Sequence, residues 1–410
     1  MYDWIVVGGG ISGITVAEIL CRQGKSVLLL EKKGKLAGET SKVFHEWLHT
    51  GALYTLTPDK LLTTRFLLGA IDDLLEYYGA FPRQNLLPTE RGLQVGPLGW
   101  FNEEYVHYKY KNRKYNPVWS AIVSRSWNLV EKISTHDWLR RRAGALYGDS
   151  RLSRRNWFDK MPIILNSNEE FCEVKSPDVS INSRMLISDI LCYALSNGLE
   201  FLTNQSVVSI DESSDDVSVK TNDSQYCCRN IIVCTPDLVS ELFNKQIKIS
   251  YAPIAIVKGV TDQTRSFVEL DYHTKNCINL LKKGGGIGQA GGISVPRPEM
   301  VNSYIDYVVD QLQKLNPNIS VIDKYVGVKK EIVPSGQERN YLYHIDQYST
   351  RKWSLVLGKF TLAFSAAPEF YRRAYHQNPS KTFKCDVSEQ INKYISKTSW
   401  QEIVDNNQGI

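Results

Sequence analysis

Apolar and polar positions alternate along this chain in a way that marks out its elements one after another. Residues 5–7 form a short β-branched run, the pattern of a buried parallel strand. Gly8, Gly10 and Gly13 follow directly, and Ile14, Ala17, Ile19 and Leu20 then recur at helical spacing until Gly24. Residues 27–30 predict a second apolar strand, closed by Glu31. A helix is expected from Thr57 and Pro58, with Leu61, Leu62, Phe66, Leu67, Ile71, Leu74 and Leu75 as its apolar face. Residues 81–163, rich in Tyr, Trp, Arg and Pro, lack a clean period and read as an inserted layer. A helix through Leu186, Ile190, Leu191 and Leu195 stops at Gly198, and strands over 199–212, 216–221 and 230–236 follow. The stretch 251–295 is β-like, and 299–315 is helical through Val301, Ile305, Val308, Leu312 and Leu315. Residues 341–375 read as strand, turn, strand, glycine break and helix. The polar tail carries one weak helical segment and is expected to be a surface appendage.

The first glycine cluster carries chemistry. In a GxGxxG spacing the first glycine allows a tight turn, the second lets backbone approach a pyrophosphate, and the third lets helix pack close to strand. The helix N-terminus offers free N–H groups and a positive dipole end to phosphates. Glu31 stands where an acid bonds ribose hydroxyls, which disfavours a 2′-phosphate. An adenine dinucleotide is therefore expected, FAD or NAD ahead of NADP. Residues 284–294, GGGIGQAGGIS, repeat the spacing at Gly286, Gly288 and Gly291. No β-branched strand precedes them, and Pro296 and Pro298 oppose a following helix. They predict a flexible loop, either an exposed turn or a mobile lid over the site.

Composition narrows the setting. The 410 residues are enough for two domains, and 42% hydrophobic content allows a large core. Apolar runs are too short to span a bilayer, so no integral membrane segment is expected. The first strand begins near residue 3, which leaves no room for a leader and predicts a cytoplasmic protein. None of the eight cysteines falls in a CxxC pair, and no metal site is expected. The adjacent Cys227 and Cys228 read as small hydrophobes on a strand. A net charge of +5 does not by itself argue for nucleic acid, although basic clusters stand at 140–142, 154–155, 282–283 and 372–373. The first of these has a structural reading: Ser134 and Asp137 start a helix, Gly144 ends it, and arginines in the last turn complement its dipole.

On these residues the chain resembles the flavin-dependent D-amino-acid oxidase (DAO) superfamily, nearest to its glycine oxidase, sarcosine oxidase and 2-hydroxyglutarate dehydrogenase-like members. Four segments carry the resemblance. The first is the glycine motif, and it implies cofactor contacts from Gly8, Gly10, Ile11, Ser12 and Gly13 with Glu31 and Lys32. The second is Thr40–Ser41 with HTGALY, which is similar to a flavin-contacting loop and adds His49, Thr50 and Gly51. The third is the helix ending at Gly198 with SVVSID, where Val207 matches an adenine-contacting position and Thr235 ends the same unit. The fourth, LGKFTLAFSAAPEF, is similar to a glycine-containing flavin loop and contributes Gly358, Lys359, Phe360 and Thr361. The chain departs from the family in having CTP after the strand at 231–234 and in lacking a GHG before Lys359. The second and fourth segments supply a cradle for an isoalloxazine ring, so the resemblance implies FAD rather than NAD.

The fold class expected is α/β: a Rossmann-like FAD/NAD(P)-binding domain with an interleaved antiparallel-sheet α+β substrate domain. The nucleotide-binding part spans 1–80, 164–245 and 335–377, the substrate part 81–163 and 246–334, and the appendage 378–410. The resemblance implies an FAD-dependent oxidoreductase acting on a CH–NH or CH–OH bond of a small polar, anionic amine, amino acid or hydroxy acid. His49 is the expected base or electrostatic partner and His45 the second candidate; the plain alternative is that both only bond backbone. Lys359 is expected to place a positive charge near flavin and substrate, against the alternative of a solvated lysine beside a turn. Two other readings stay open: a DAO-type flavoenzyme acting on a glycine-like amine of a modified nucleic acid, a less favoured partner, and a non-catalytic flavin-binding protein. The electron acceptor is left open between oxygen, a quinone and a carrier.

Overall fold

The computed structural model describes residues 1–49, 63, 66–67, 70–78, 100, 102, 106–111, 164–167, 171–176, 178–261, 263–271, 274, 276–333, 342–381 and 391–407. Strand β1 (Tyr2–Val7), helix α1 (Ile11–Arg22) and strand β2 (Val27–Leu30) form the opening βαβ unit. Helix α2 (Thr40–Val43) and strand β3 (Trp47–Leu48) follow. Beyond them come α3 (Ala70–Tyr78), β4 (Val106–Lys111), β5 (Ile164–Ser167), β6 (Phe171–Ser176) and β7 (Val179–Ser180). Helix α4 (Ser183–Ser196) starts where the Asn182 side chain accepts from the amide of Met185, and Gly198 at φ +87° turns the chain away from it. Strands β8 (Glu200–Leu202), β9 (Val207–Glu212), β10 (Val217–Thr221) and β11 (Gln225–Val233) lead to α5 (Pro236–Phe243). Next are β12 (Ile247–Lys258), β13 (Phe267–Asp271), β14 (Asn276–Gly284), β15 (Ile287–Gly292), α6 (Val301–Leu315) and β16 (Ser320–Ile332). The described chain closes with β17 (Tyr343–Gln347), β18 (Lys352–Leu357), α7 (Ala363–Tyr375) and α8 (Ser399–Asn407).

These strands build two large sheets. The first runs β17-β18-β11-β1-β2-β8, and β1, β2, β8, β11 and β18 are mutually parallel. A parallel strand is buried on both faces, which explains why 4–7 and 27–30 are apolar without alternation. Trp4 and Val6 enter the core shared with α1, α4 and α7; Ile5 and Val7 enter the opposite one, with Val219 of β10 and Val239 of α5. The second sheet runs β16-β12-β15-β14-β13-β4-β6-β5 and is antiparallel except between β13 and β4. Ile305, Val308 and Leu312 of α6 cover one face of it, and each such buried side chain contributes about 2 kcal/mol. The other face receives residues 44–45. A Cβ at Gly291 would stand 2.5 Å from His45 Nε2, and one at Gly327 would stand 3.2 Å from the Phe44 ring.

Several expectations change here. Residues 284–292 are not a flexible loop: β14 and β15 form a hairpin that turns through Gly284, Gly285 and Gly286, all at positive φ. The β-like reading of 251–295 thus extends through the glycines, and the basic pair Lys282 and Lys283 is buried in β14. Residues 171–176 pair with β4 on one side and with 164–167 on the other, which puts both segments in the second sheet and not in the first. The tail is packed rather than appended, because Ile391 and Ile395 are core residues and Ile395 bridges Leu36. Cys227 is exposed while Cys228 is buried, as alternation along β11 requires. Thr57, Pro58 and the arginines at 140–142 and 154–155 lie outside the described residues.

Candidate active site

The cofactor cradle is built at the end of β1. Gly8 has φ +107°, and a Cβ on Gly13 would stand 1.8 Å from the Gly8 carbonyl oxygen. Only glycine serves at both positions, which lets the loop wrap tightly against α1. Gly10, the N-cap of α1, has no side chain to cover the first amides. Ser41 Oγ accepts from the Ile11 amide at 3.0 Å, which fixes α2, and with it Thr40, over the helix N-terminus where Ser12 also lies. Glu31 is buried; Oε2 accepts from the Gly9 amide at 2.6 Å and Oε1 from the Lys33 amide at 2.8 Å. Lys32 is half exposed and pairs with Glu39 at 2.9 Å, so it stands at the rim.

Downstream segments close this cradle. Val207 begins β9 opposite Thr221. Thr235 is the N-cap of α5 and lies against Gly8, and its Oγ1 is buried without a hydrogen bond among the described residues. Gly358 donates its amide to the Leu342 carbonyl at 2.6 Å, and Lys359 opens a short helical turn through Phe360 and Thr361. Thr361 Oγ1 accepts from the His49 amide at 2.8 Å and so ties this loop to the chain after β3. Thr50 and Gly51 lie outside the described residues. A glycine loop that leaves no room for side chains, an acid at the end of β2 and the Thr235 hydroxyl, unpaired among the described residues, all fit the adenine-dinucleotide portion of FAD.

On the side toward the second sheet, His49 is held from several directions. Its Nδ1 lies 3.2 Å from Asp178 Oδ2, and the Tyr108 hydroxyl donates to the same oxygen. Trp47 lies beside the imidazole, ring centres 4.1 Å apart, and Trp47 Nε1 is buried without a partner among the described residues. Burial pushes the His49 pKa down to about 4 against the upward pull of Asp178, and Lys359 and Lys329 add to the fall. The ring is therefore neutral at neutral pH. A neutral imidazole that donates Nδ1–H to Asp178 carries its lone pair on Nε2. His45 is pushed down to about 3, by burial first and then by Lys283 and His49. The two histidines stand four apart in sequence yet face different partners, His45 over Gly291 and His49 at Asp178.

The structure thus brings His49, Lys359, Phe360 and Thr361 together. It also adds residues that the pattern did not single out: Trp47, Tyr108, Asp178 and Lys329. Lys329 is buried on β16 and paired with Glu331. Tyr108 had a faint signal in the alternation of Val106, Tyr108 and Tyr110; Asp178 had none, being a single acid ahead of a two-residue strand.

Comparison with known proteins decides the family. The family described as DAO, FAD dependent oxidoreductase, matches residues 3–336. The chain belongs to this DAO family. Its cofactor is FAD, in agreement with the cradle. A segment of 54 residues is 44% identical to UDP-galactopyranose mutase of Mycoplasma pneumoniae, covering 11% of this chain and 14% of that one. The curated relatives it matches are spanned for only 14% to 23% of their length. Among solved structures, the FAD-bound L-α-glycerophosphate oxidase of Mycoplasma pneumoniae superposes with a TM-score of 0.66 at 14% identity, over 94% of this chain and 97% of that one. The L-proline dehydrogenase of P. horikoshii gives 0.65 at 13% identity, over 100% and 98%. At these identities the superpositions establish a DAO fold.

Proposed function

We propose that the protein oxidises a CH–NH or CH–OH bond of a small anionic substrate, with hydride transfer to flavin N5. The observation that carries this reading is the placing of His49 by Asp178 and Thr361, with Lys359 and Lys329 both acting on its charge. When bound, FAD supplies the hydride acceptor. The residues of the chain do the rest. The positive charge of Lys359 favours a carboxylate or similar anion beside His49, and Lys329, which is paired with Glu331, adds to the local field. An anion at that place offsets their effect on His49 and raises its pKa. Nε2 of His49 then takes the N–H or O–H proton of the substrate as its C–H bond breaks, and Asp178 stabilises the imidazolium that forms. Trp47 and Tyr108 wall this side of the site.

The test is an anaerobic screen of amines and hydroxy acids that follows flavin absorbance. Bleaching is expected with substrates that bear an anionic group and not with their neutral amides or esters. The His49→Ala variant is expected to keep its flavin and to be reduced about 100-fold more slowly. Reduction of that variant at the full rate would remove His49 from the reaction.

A further inference from the structure

Between the two histidines lies a buried cluster that the proposed reaction leaves unused. Glu46 is 7% exposed and its backbone is left-handed, φ +56°. Such a φ is uncommon for a residue with a side chain and persists where surrounding contacts enforce it. Here the contacts come from three elements. Glu46 Oε1 accepts from the amide of Ser183 at 2.9 Å and from its hydroxyl at 2.7 Å, at the start of α4. Oε2 accepts from Lys283 Nζ on β14 and from Trp400 Nε1 on α8, each at 2.7 Å. The Glu46 carbonyl accepts from the Ile181 amide at 2.9 Å, and Lys283 Nζ also donates to the His45 carbonyl at 3.0 Å. The Lys283 side chain is wholly buried, with Nζ 5.9 Å from the Trp400 ring centre.

Four donors on two carboxylate oxygens fix the Glu46 side chain, and the carbonyl contacts fix the peptides on either side of it. Those peptides lead to His45 in one direction and to Trp47 and His49 in the other. Helix α8 is itself anchored by the pairing of Lys42 with Glu402 at 2.9 Å, and the turn at 391–394 ahead of it by Asn392, whose Oδ1 accepts from Ser188 Oγ at 2.6 Å. We infer that Glu46 and Trp400 are positioning residues for the chain from His45 to His49, which makes residues 391–407 a working part of the flavin-facing site. This rests on the reading that His49 works in that site. The indole N–H, more than the bulk of the ring, is the feature that matters, because it completes the carboxylate's set of donors.

The test uses the full chain, loaded with FAD and as the apoprotein, with His49→Ala and three further variants. Trp400→Phe removes the N–H, Trp400→His keeps a ring donor, and Glu402→Ala loosens α8 from the surface. Inorganic sulfite, a small anion that bleaches flavin absorbance, is the probe. In Trp400→Phe sulfite affinity is expected to fall about tenfold, the order of one charge-assisted hydrogen bond, while FAD affinity stays within about threefold. Hydrogen exchange at residues 44–49 of the apoprotein is expected to accelerate in the same variant. Trp400→His is expected to restore most of both, and Glu402→Ala to shift both in the direction of Trp400→Phe by less. Wild-type sulfite affinity and exchange in both Trp400→Phe and Glu402→Ala would overturn the inference, as would a Trp400→His variant no better than Trp400→Phe. Unchanged sulfite affinity in His49→Ala would overturn the reading of the His49 site instead, and hydrogen exchange would then decide the role of Trp400 alone.

Discussion

His45 and His49 are neutral in the folded chain because burial outweighs every favourable contact they make. Their folded pKa values, about 3 and about 4, lie below the 6.5 of a free imidazole. Between those limits the unfolded chain binds more protons, so stability rises with pH. The contribution is fully present above about pH 6.5 and is lost as the pH falls through the folded values. Thermal melts of the apoprotein are expected to show a falling midpoint from about pH 6.5 to 5, a window above most carboxylate titrations. The slope should flatten in His45→Gln; an unchanged slope would mean that His45 is not buried neutral. At this scale the sequence was informative about identity and silent about partners. His49 could be singled out from its neighbours in HTGALY, but Asp178, 129 residues away, becomes its partner only through the pairing of β3 with β7.

Among the elements, the opening βαβ unit was the most legible, because glycine spacing, an apolar run and a terminal acid are all local constraints. Gly13→Ala tests it: a methyl group 1.8 Å from the Gly8 oxygen has no place to go, so the variant is expected to purify without flavin and to take up none in an absorbance titration. Gly291→Ala is the contrasting case. Its methyl group meets the His45 ring, so FAD is expected to remain while the rate of flavin reduction falls. The hairpin β14–β15 was legible only in part: the β-like character of 251–295 was, and the continuation of the sheet through the glycines of β15 was not. Its buried lysines look like a surface cluster until Glu46, from another part of the chain, neutralises one of them. The tail was misread for a related reason: it is polar, but Trp400 and Asn392 spend their polar atoms on buried partners.

For the molecule as a whole, two sheets meet at a seam, and the chain from Phe44 to His49 lies in it. Among the described residues no helix is long and apolar enough to cross a membrane. The basic pair at 282–283 is withdrawn from the surface, which weakens the case for a nucleic acid substrate. Retention of a polynucleotide is expected to be weak and nearly flat between about 50 and 200 mM salt; a steep loss over that range would favour the polynucleotide reading. The indole of Trp4 donates to the hydroxyl of Tyr375 at 2.7 Å, across 371 positions of sequence. During translation the first strand must therefore wait roughly 20 to 75 s, at ordinary elongation rates, before Tyr375 is added to the chain. Until then the apolar face that carries Trp4 and Val6 stands open, and chaperone dependence during synthesis is the expected cost of joining this strand to so late a helix.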